Sequence, residues 1–296
     1  MAHRLCGFDD TITGAPCENW VAPHVDHCAA GHPCAPVAVA PGVSFASFGD
    51  PGAPFELDDL AHVGAAPAAL EARARALGVD LGPTFDHSAD ADDIEWSSNE
   101  WCLSMTAQIS AADVLLERPS PQGTEVLLIQ RAHPPFGNVW ALPGGMRDEG
   151  ETLAETADRE MGEEVGLHVG AGGEWAQRDL GEETATDWDT RFPSVHVGAS
   201  FYRVPADTRA KAQDDAREAH WVPLAGVAAG EYPLAFGHAE WFKRAYRGDA
   251  ELGAKFRLLR DAGRVRNRRL ITQINEVRRV RGAPLIDLEA PVRLAS

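Results

Sequence analysis

The sequence predicts an α/β protein, and three observations carry that expectation. Val126-Leu127-Leu128-Ile129 is an apolar run of the length expected for a central strand covered on both faces. Thr152 and Glu155 have capping-box spacing, and from there the chain repeats at helical period until Gly166, a residue suited to a C-terminal stop. From Ala239 to Arg281 the pattern is helical again, with Leu270, Ile274, Val277 and Val280 forming a narrow apolar seam.

Four regions are expected: residues 1–35, 36–100, 101–247 and 248–296. In the first, Cys6, Cys17, Cys28 and His32 are separated by ten, ten and three residues, with Cys34, His24 and His27 nearby. Three thiolates and one imidazole satisfy tetrahedral zinc, and so short a segment needs a staple to fold, so a small zinc-binding module with structural zinc is expected here. Cys34 could replace His32. The competing reading is an N-terminal extension with unpaired thiols. Five cysteines, an odd number, argue against a disulfide framework. Residues 36–100 are rich in Ala, Gly, Pro and Asp, with one helix expected from Pro67 to Leu77 and an acidic, exposed linker from Asp86 to Glu95.

The third region should hold the core. Leu103 to Leu116 and Thr124 to Gln130 read as strands joined by a turn at Pro119 to Gly123, and Gly173 to Leu180, Val195 to Val204 and Ala219 to Leu224 read as further strands. Between the last three lie two loops, Gly181 to Pro193 and Ala206 to Glu218. Long loops beside a site carry contacts, so Trp188 is a candidate to stack on a base and Arg191 to pair with a phosphate. Both are equally readable as ordinary surface residues. Glu182 and Glu183, in the same loop, are candidate general bases.

Within the helix that begins at Thr152, Glu160, Glu163 and Glu164 stand at offsets of three and four and share one face, while Leu153, Ala157 and Met161 line another. Carboxylates so placed repel unless a cation sits among them, and hard oxygen ligands suit magnesium or manganese. The bland alternative is a solvated acidic face. Arg159 is placed to fold back onto Glu151 in the preceding Gly-rich turn, a bidentate pair that would hold loop and helix in register.

The whole stretch Gly145 to Leu167 resembles the Nudix box. Gly145, Glu151, Arg159, Glu160, Met161, Glu163, Glu164, Gly166 and Leu167 fill every specified position of that pattern. The resemblance extends over roughly Trp101 to Arg247, where Arg131 to Gly145 and the segment Pro233-Leu234-Ala235-Phe236-Gly237-His238-Ala239-Glu240 are similar to the branch acting on ADP-ribose. It implies an α/β/α sandwich, a mixed sheet between helices. It also implies hydrolysis of a pyrophosphate bond in a nucleoside diphosphate derivative, with ADP-ribose giving AMP and ribose 5-phosphate as the leading case. Nucleoside triphosphate or NADH pyrophosphatase activity and a non-catalytic nucleotide sensor are the alternatives. On this resemblance Glu160, Glu163 and Glu164 bind Mg2+ or Mn2+ with the carbonyl of Gly145 and an additional acid at Asp215. Glu163 or a loop carboxylate assists deprotonation, Arg159 and Glu151 shape the site, and Arg131 and Phe136 join the substrate contacts. Gly237 departs from the family's Asp, and Pro193 is the first proline after the box, later than in many ADP-ribose pyrophosphatases.

Net charge is −18, unevenly placed: residues 1–100 carry 3 basic and 16 acidic side chains, whereas residues 241–296 carry 14 basic and 6 acidic. An acidic body disfavours nucleic acid as a partner. The basic tail, with Arg264, Arg268, Arg269, Arg278, Arg279 and Arg281 flanking the seam, can be read as a helix for a phosphate-rich ligand. It reads better as a helix packed on the body, its arginines meeting the acidic N-terminal third within one chain or across a homodimer. No apolar run reaches the ~18 residues of a membrane span, and the first residues lack the apolar stretch of a signal peptide, which points to a cytoplasmic location. A nucleotide-type small-molecule substrate is what the resemblance implies.

Overall fold

In the computed structural model, β3 (Ile109–Ser120) is the strand on which the sheet is built. Its second half forms a hairpin with β4 (Gly123–Arg131), pairing Ser120 with Gly123. Its first half lies between β6 (Gly144–Met146), antiparallel, and β8 (Val195–Arg203), parallel, with Asp113 opposite Gly144 on one side and Ala199 on the other. β7 (Ala176–Ala185) extends the sheet beyond β8, while β5 (Trp140–Ala141) and β9 (Ala216–Pro223) pair with β4. The sheet is therefore mixed, as expected.

The structure describes residues 4–5, 20–21, 65–86, 91–104, 108–169, 175–214 and 216–288. The chain forms two units, Met1–Ala69 and Leu70–Ser296. Within the first, β1 (Arg4–Leu5) pairs antiparallel with β2 (Trp20–Val21). Cys6, Cys17, Cys28 and His32, the expected zinc ligands, lie outside the described residues, as does Asp215. Among the described residues no helix is long and apolar enough to cross a membrane.

Eight helices are described: α1 (Ala65–Leu77), α2 (Gly82–Asp86), α3 (Ala91–Ser97), α4 (Glu100–Ser104), α5 (Leu153–Val165), α6 (Leu224–Ala229), α7 (Ala239–Ala245) and α8 (Ala250–Arg281). Val114 to Leu116 and Val126 to Ile129 are buried at the centre of the sheet. Each such side chain contributes ~1.5–3 kcal/mol by leaving water, which is why the most apolar runs of the sequence become its central strands.

The capping box that α5 was expected to carry is present: Glu155 N–H donates to Thr152 Oγ1 at 3.2 Å, and Thr152 N–H donates back to Glu155 Oε2 at 2.7 Å. Gly166 ends the helix at φ 68°, a left-handed conformation that costs glycine little. Glycines also let α5 settle on the sheet. A Cβ on Gly198 would lie 2.8 Å from Leu153, and one on Gly145 would lie 2.3 Å from the Glu160 carboxylate. Hence the first residue of α5 packs on β8 and its middle on β6.

Several boundaries move relative to the sequence reading. The strand expected from Leu103 begins at Ile109, because Asn99 accepts the Cys102 N–H at 2.8 Å and starts α4. The strand expected to stop at Leu180 runs on to Ala185, so Glu182 and Glu183 lie on β7 and not in a loop; their polarity reflects a position near the sheet edge. The acidic run expected as an exposed linker contains α3, and Asp93 is buried, accepting the Phe136 N–H at 3.0 Å. The helical pattern from Ala239 is broken in two, since Asp249 accepts the N–H groups of Glu251 and Leu252 and caps a new helix.

The apolar seam of the tail is also shifted. Leu270, Ile271 and Ile274 are buried, but Val280 is exposed and Arg278 takes the inward position. Arg278 donates to the carbonyls of Cys102, Arg191 and Pro284 at 2.9–3.0 Å. Arg264 and Arg268 each donate to Asp187 Oδ2, at 2.9 and 2.8 Å. The tail thus packs on the body as expected, and among the described residues Arg264 and Arg268 meet Asp187 in the loop after β7 while Arg281 Nη1 donates to the Ser98 carbonyl at 3.1 Å.

Candidate active site

The Gly-rich turn and α5 are locked by one arginine. Arg159 Nε donates to Glu151 Oε1 at 2.8 Å and its Nη2 to Glu151 Oε2 at 3.1 Å, while the same Nη2 reaches the Met146 carbonyl at 2.9 Å. The expected bidentate pair is present, and it holds the Glu151 carboxyl down at about 2. Thr156 Oγ1 also donates to Glu151, at 3.0 Å, so the loop acid is fixed by two residues of the helix.

Arg159 has further partners that spacing alone did not suggest. Its Nη1 donates to Glu160 Oε1 at 2.9 Å and to Glu163 Oε2 at 3.0 Å. The third acid differs: Glu164 is buried, and its Oε2 accepts the Gly144 N–H at 2.9 Å. Glu160, tucked under Gly145, is pushed above its ordinary value by burial, against the pull of Arg159 and with the help of Glu163 and Glu151.

The three acids therefore share one edge of α5, but among the described residues no three acidic, His or Cys side chains converge on a point that would hold a metal. Their chemistry nevertheless fits Mg2+ or Mn2+. All three donors are hard oxygens, and the missing Cβ of Gly145 leaves the space that the Glu160 carboxylate fills beside the turn's backbone.

A second group of buried polar side chains lies behind the turn. Asp113, on β3 opposite Gly144, accepts from Trp241 Nε1 at 2.7 Å and faces His238 Nε2 at 3.6 Å. Burial lifts its carboxyl to about 7; the Trp241 hydrogen bond opposes that rise and Glu160 adds to it. His238 Nδ1 accepts the Leu142 N–H at 3.0 Å, which puts the proton of the neutral ring on Nε2. Burial, with Arg131 and Arg266 nearby, holds this imidazole neutral down to about pH 3.

The substrate candidates are brought to one side but not opened to solvent. Trp188 is buried, packed over Gly237, where a Cβ would lie 2.4 Å from the indole, and against Trp241 with ring centroids 5.2 Å apart. The ring expected to stack on a base is thus packed among protein side chains and buried from solvent. Phe136 is fully buried edge-on to Phe236 at 5.1 Å, both with positive φ. Arg191 grips Asp189 with both Nε and Nη2, and Arg131 donates to the Pro135 carbonyl while lying over the Phe236 ring. Of the two candidate bases on β7, Glu183 is buried against Arg244 at 2.6 Å, whereas Glu182 is half exposed and meets His196 Nε2 at 2.9 Å.

Residues 108–245 match the family model described as the NUDIX domain. A Methanocaldococcus jannaschii protein named ADP-ribose pyrophosphatase is 32% identical over 133 residues, covering 45% of this chain and 70% of its own. The chain belongs to the Nudix family. Two Mycobacterium tuberculosis proteins named provisionally as an 8-oxo-dGTP diphosphatase are 36% identical over 89 residues, or 29% of this chain; the chain spans only 40% of their length. The Nudix domain of Shewanella oneidensis NrtR, crystallised with ADP ribose, is 27% identical with a TM-score of 0.42, covering 48% of this chain and 88% of that one.

Sequence reasoning missed the group behind the Nudix turn. Asp113 had a signal, since it is the one charge in the strand Ala111-Ala112-Asp113-Val114-Leu115-Leu116 and a charge there must be paired. His238 had only its place in the segment resembling the ADP-ribose branch. Asp187 and Asp93 had none, because their partners are distant in sequence.

Proposed function

We propose that this Nudix protein hydrolyses the pyrophosphate bond of a nucleoside diphosphate derivative with Mg2+ or Mn2+, and that ADP-ribose, cleaved to AMP and ribose 5-phosphate, is its substrate. One observation carries the reading: every position of the box is filled, and Glu160, Glu163 and Glu164 lie along one edge of α5 beside a turn locked by Arg159. The share of the Methanocaldococcus relative that is covered, and its printed name, support ADP-ribose over a nucleoside triphosphate.

Glu160, Glu163 and Glu164 would hold the dication with the carbonyl of Gly145 and, on the family pattern, Asp215. When bound, the ion supplies neutralisation of the pyrophosphate charge and Lewis acidity toward the attacking water. Arg159 keeps Glu151 and the turn in register and shares Glu160 and Glu163 when no cation competes. Glu163, the most exposed of the three acids, and Glu182, half exposed on β7, are the carboxylates free enough to take a proton from water. Glu183 is removed from that role by its burial against Arg244. A structural zinc held by Cys6, Cys17, Cys28 and His32 belongs to the same proposal, supported by ligand type and spacing, and elemental analysis showing about one zinc per chain would bear it out.

The deciding experiment is release of AMP or phosphate from ADP-ribose, NADH, sugar nucleotides and nucleoside triphosphates with magnesium. Turnover should be fastest with ADP-ribose. Turnover of none would favour a nucleotide-sensing role.

A further inference from the structure

Leu142 and Gly144 carry two inward N–H donors that no neighbouring strand uses. Leu142 N–H goes to His238 Nδ1 at 3.0 Å and Gly144 N–H to Glu164 Oε2 at 2.9 Å; Pro143, between them, gives its carbonyl to Val114 N–H at 2.9 Å. Leu142 and His238 are both buried, so water cannot stand in for the imidazole.

His238 is itself held from two sides. Its segment is laced to β5, with Ala235 N–H donating to the Trp140 carbonyl at 2.7 Å and Trp140 N–H to the Pro233 carbonyl at 3.1 Å. Phe236, two residues before it, is held at φ 50°, where a bulky residue is strained. Its carbonyl receives Asn267 Nδ2 at 3.2 Å and Arg266 Nη2 at 3.4 Å, both buried side chains of α8. Asn267 Nδ2 also contacts the carbonyls of Asp187 at 2.9 Å and Trp188 at 3.3 Å. Contacts therefore run without a gap from α8 through Phe236, His238 and the Leu142–Gly144 backbone to the Glu164 carboxylate.

We propose that His238, seated by Arg266 and Asn267 of the tail helix, is a positioning residue for Glu164: by accepting the Leu142 N–H it fixes the backbone whose next donor, Gly144, orients that carboxylate. The role of Glu164 toward a dication rests on the function proposed above, whereas the positioning does not. A residue that only fills the core would tolerate any side chain of its size. A residue that acts through Nδ1 needs an acceptor at that point, which Asn supplies close to Nδ1 while Gln carries its polar atoms nearer to Nε2 and Leu has none.

The test compares the full chain with His238→Leu, His238→Gln and His238→Asn, following hydrogen exchange at the Gly144 amide without metal, with Leu128 as a core control, and Mn2+ binding by electron paramagnetic resonance. His238→Leu should speed Gly144 exchange at least ~10-fold relative to Leu128 and weaken Mn2+ binding ~10–100-fold, the range seen when the support of a metal ligand is removed. His238→Gln should do the same and serves if the Leu variant does not fold. His238→Asn should recover most of both. Unchanged Gly144 exchange in the Leu and Gln variants, or equal loss in all three, would overturn the proposal, as would altered exchange with unaltered Mn2+ affinity. A wild type that binds no Mn2+ while Gly144 responds as stated would reject the metal-dependent function and leave the positioning role standing.

Discussion

Arg159 and Glu151 are joined by two parallel hydrogen bonds, 2.8 and 3.1 Å, that tie the second turn of α5 to the loop before it. The pair fixes where the turn's backbone stands relative to Glu160 and Glu163, both of which share the same guanidinium. Lysine would keep the charge and lose the fork. Arg159→Lys should therefore lower kcat/KM for the best substrate ~10–100-fold, as loss of a ligand's support does, while leaving the thermal midpoint nearly unchanged. Steady-state kinetics beside a melting curve checks this; wild-type kinetics would reduce the pair to a surface contact.

Glu164 tests the acids themselves. Its Oε2 accepts from Gly144, and the amide oxygen of glutamine can accept the same bond, so Glu164→Gln should fold like the wild type. Only the negative charge is lost. Turnover should fall by more than ~100-fold, in line with losing a group that acts in the transition state. An unaltered rate with confirmed folding would remove Glu164 from the metal site.

The sequence made the Nudix turn and helix legible because their partners are local. Thr152 and Glu155, and Glu151 and Arg159, lie within one or two helical turns of each other, and chain geometry limits what they can meet. The central strands were legible from apolar runs too dense to sit anywhere but the core. The loops were misread for the opposite reason. Trp188 and Arg191 were expected in solvent, but α8, some 80 residues later, brings Asn267 and Arg278 onto their carbonyls and closes the loop down. Asp93 looks like part of a solvated acidic run until the loop carrying Phe136 folds over it. Polar residues whose partners lie far along the chain carry no local signature, and the buried group of Asp113, His238 and Trp241 is of that kind.

Asp187 supplies a pH-dependent test of the tail. Burial opposes its ionisation, but Arg264 and Arg268 outweigh that and hold its carboxyl below the usual range. With the folded value depressed, the stabilisation is present above the unfolded value of ~3.9 and is lost as pH falls through the lower folded value. Asp187→Asn should cost ~2–3 kcal/mol near pH 7, at the low end for a broken buried pair because Arg264 is partly exposed. Urea unfolding at a series of pH values should show the gap between the wild-type and variant curves closing as pH falls below the unfolded value of ~3.9. A constant gap would mean that Asp187 acts through packing alone.

Trp188 and Gly237 form the last test, because they occupy the point where the chain departs from the family's Asp. A Cβ at 237 would lie 2.4 Å from the indole of Trp188, far inside contact distance, so this chain has room for the buried tryptophan only because 237 has no side chain. Gly237→Ala should cost ~1–3 kcal/mol by overpacking, and Trp188→Ala ~3–5 kcal/mol by leaving a cavity. If the two residues compete for one space, the double variant will be less destabilised than the sum of the singles by ~1 kcal/mol or more, since the alanine methyl at 237 no longer meets the ring and begins to fill the void. Chemical unfolding of the four proteins measures that coupling directly. Strict additivity would mean that the indole moves aside without loss, and the absence of a side chain at 237 would then have no explanation in the packing of Trp188.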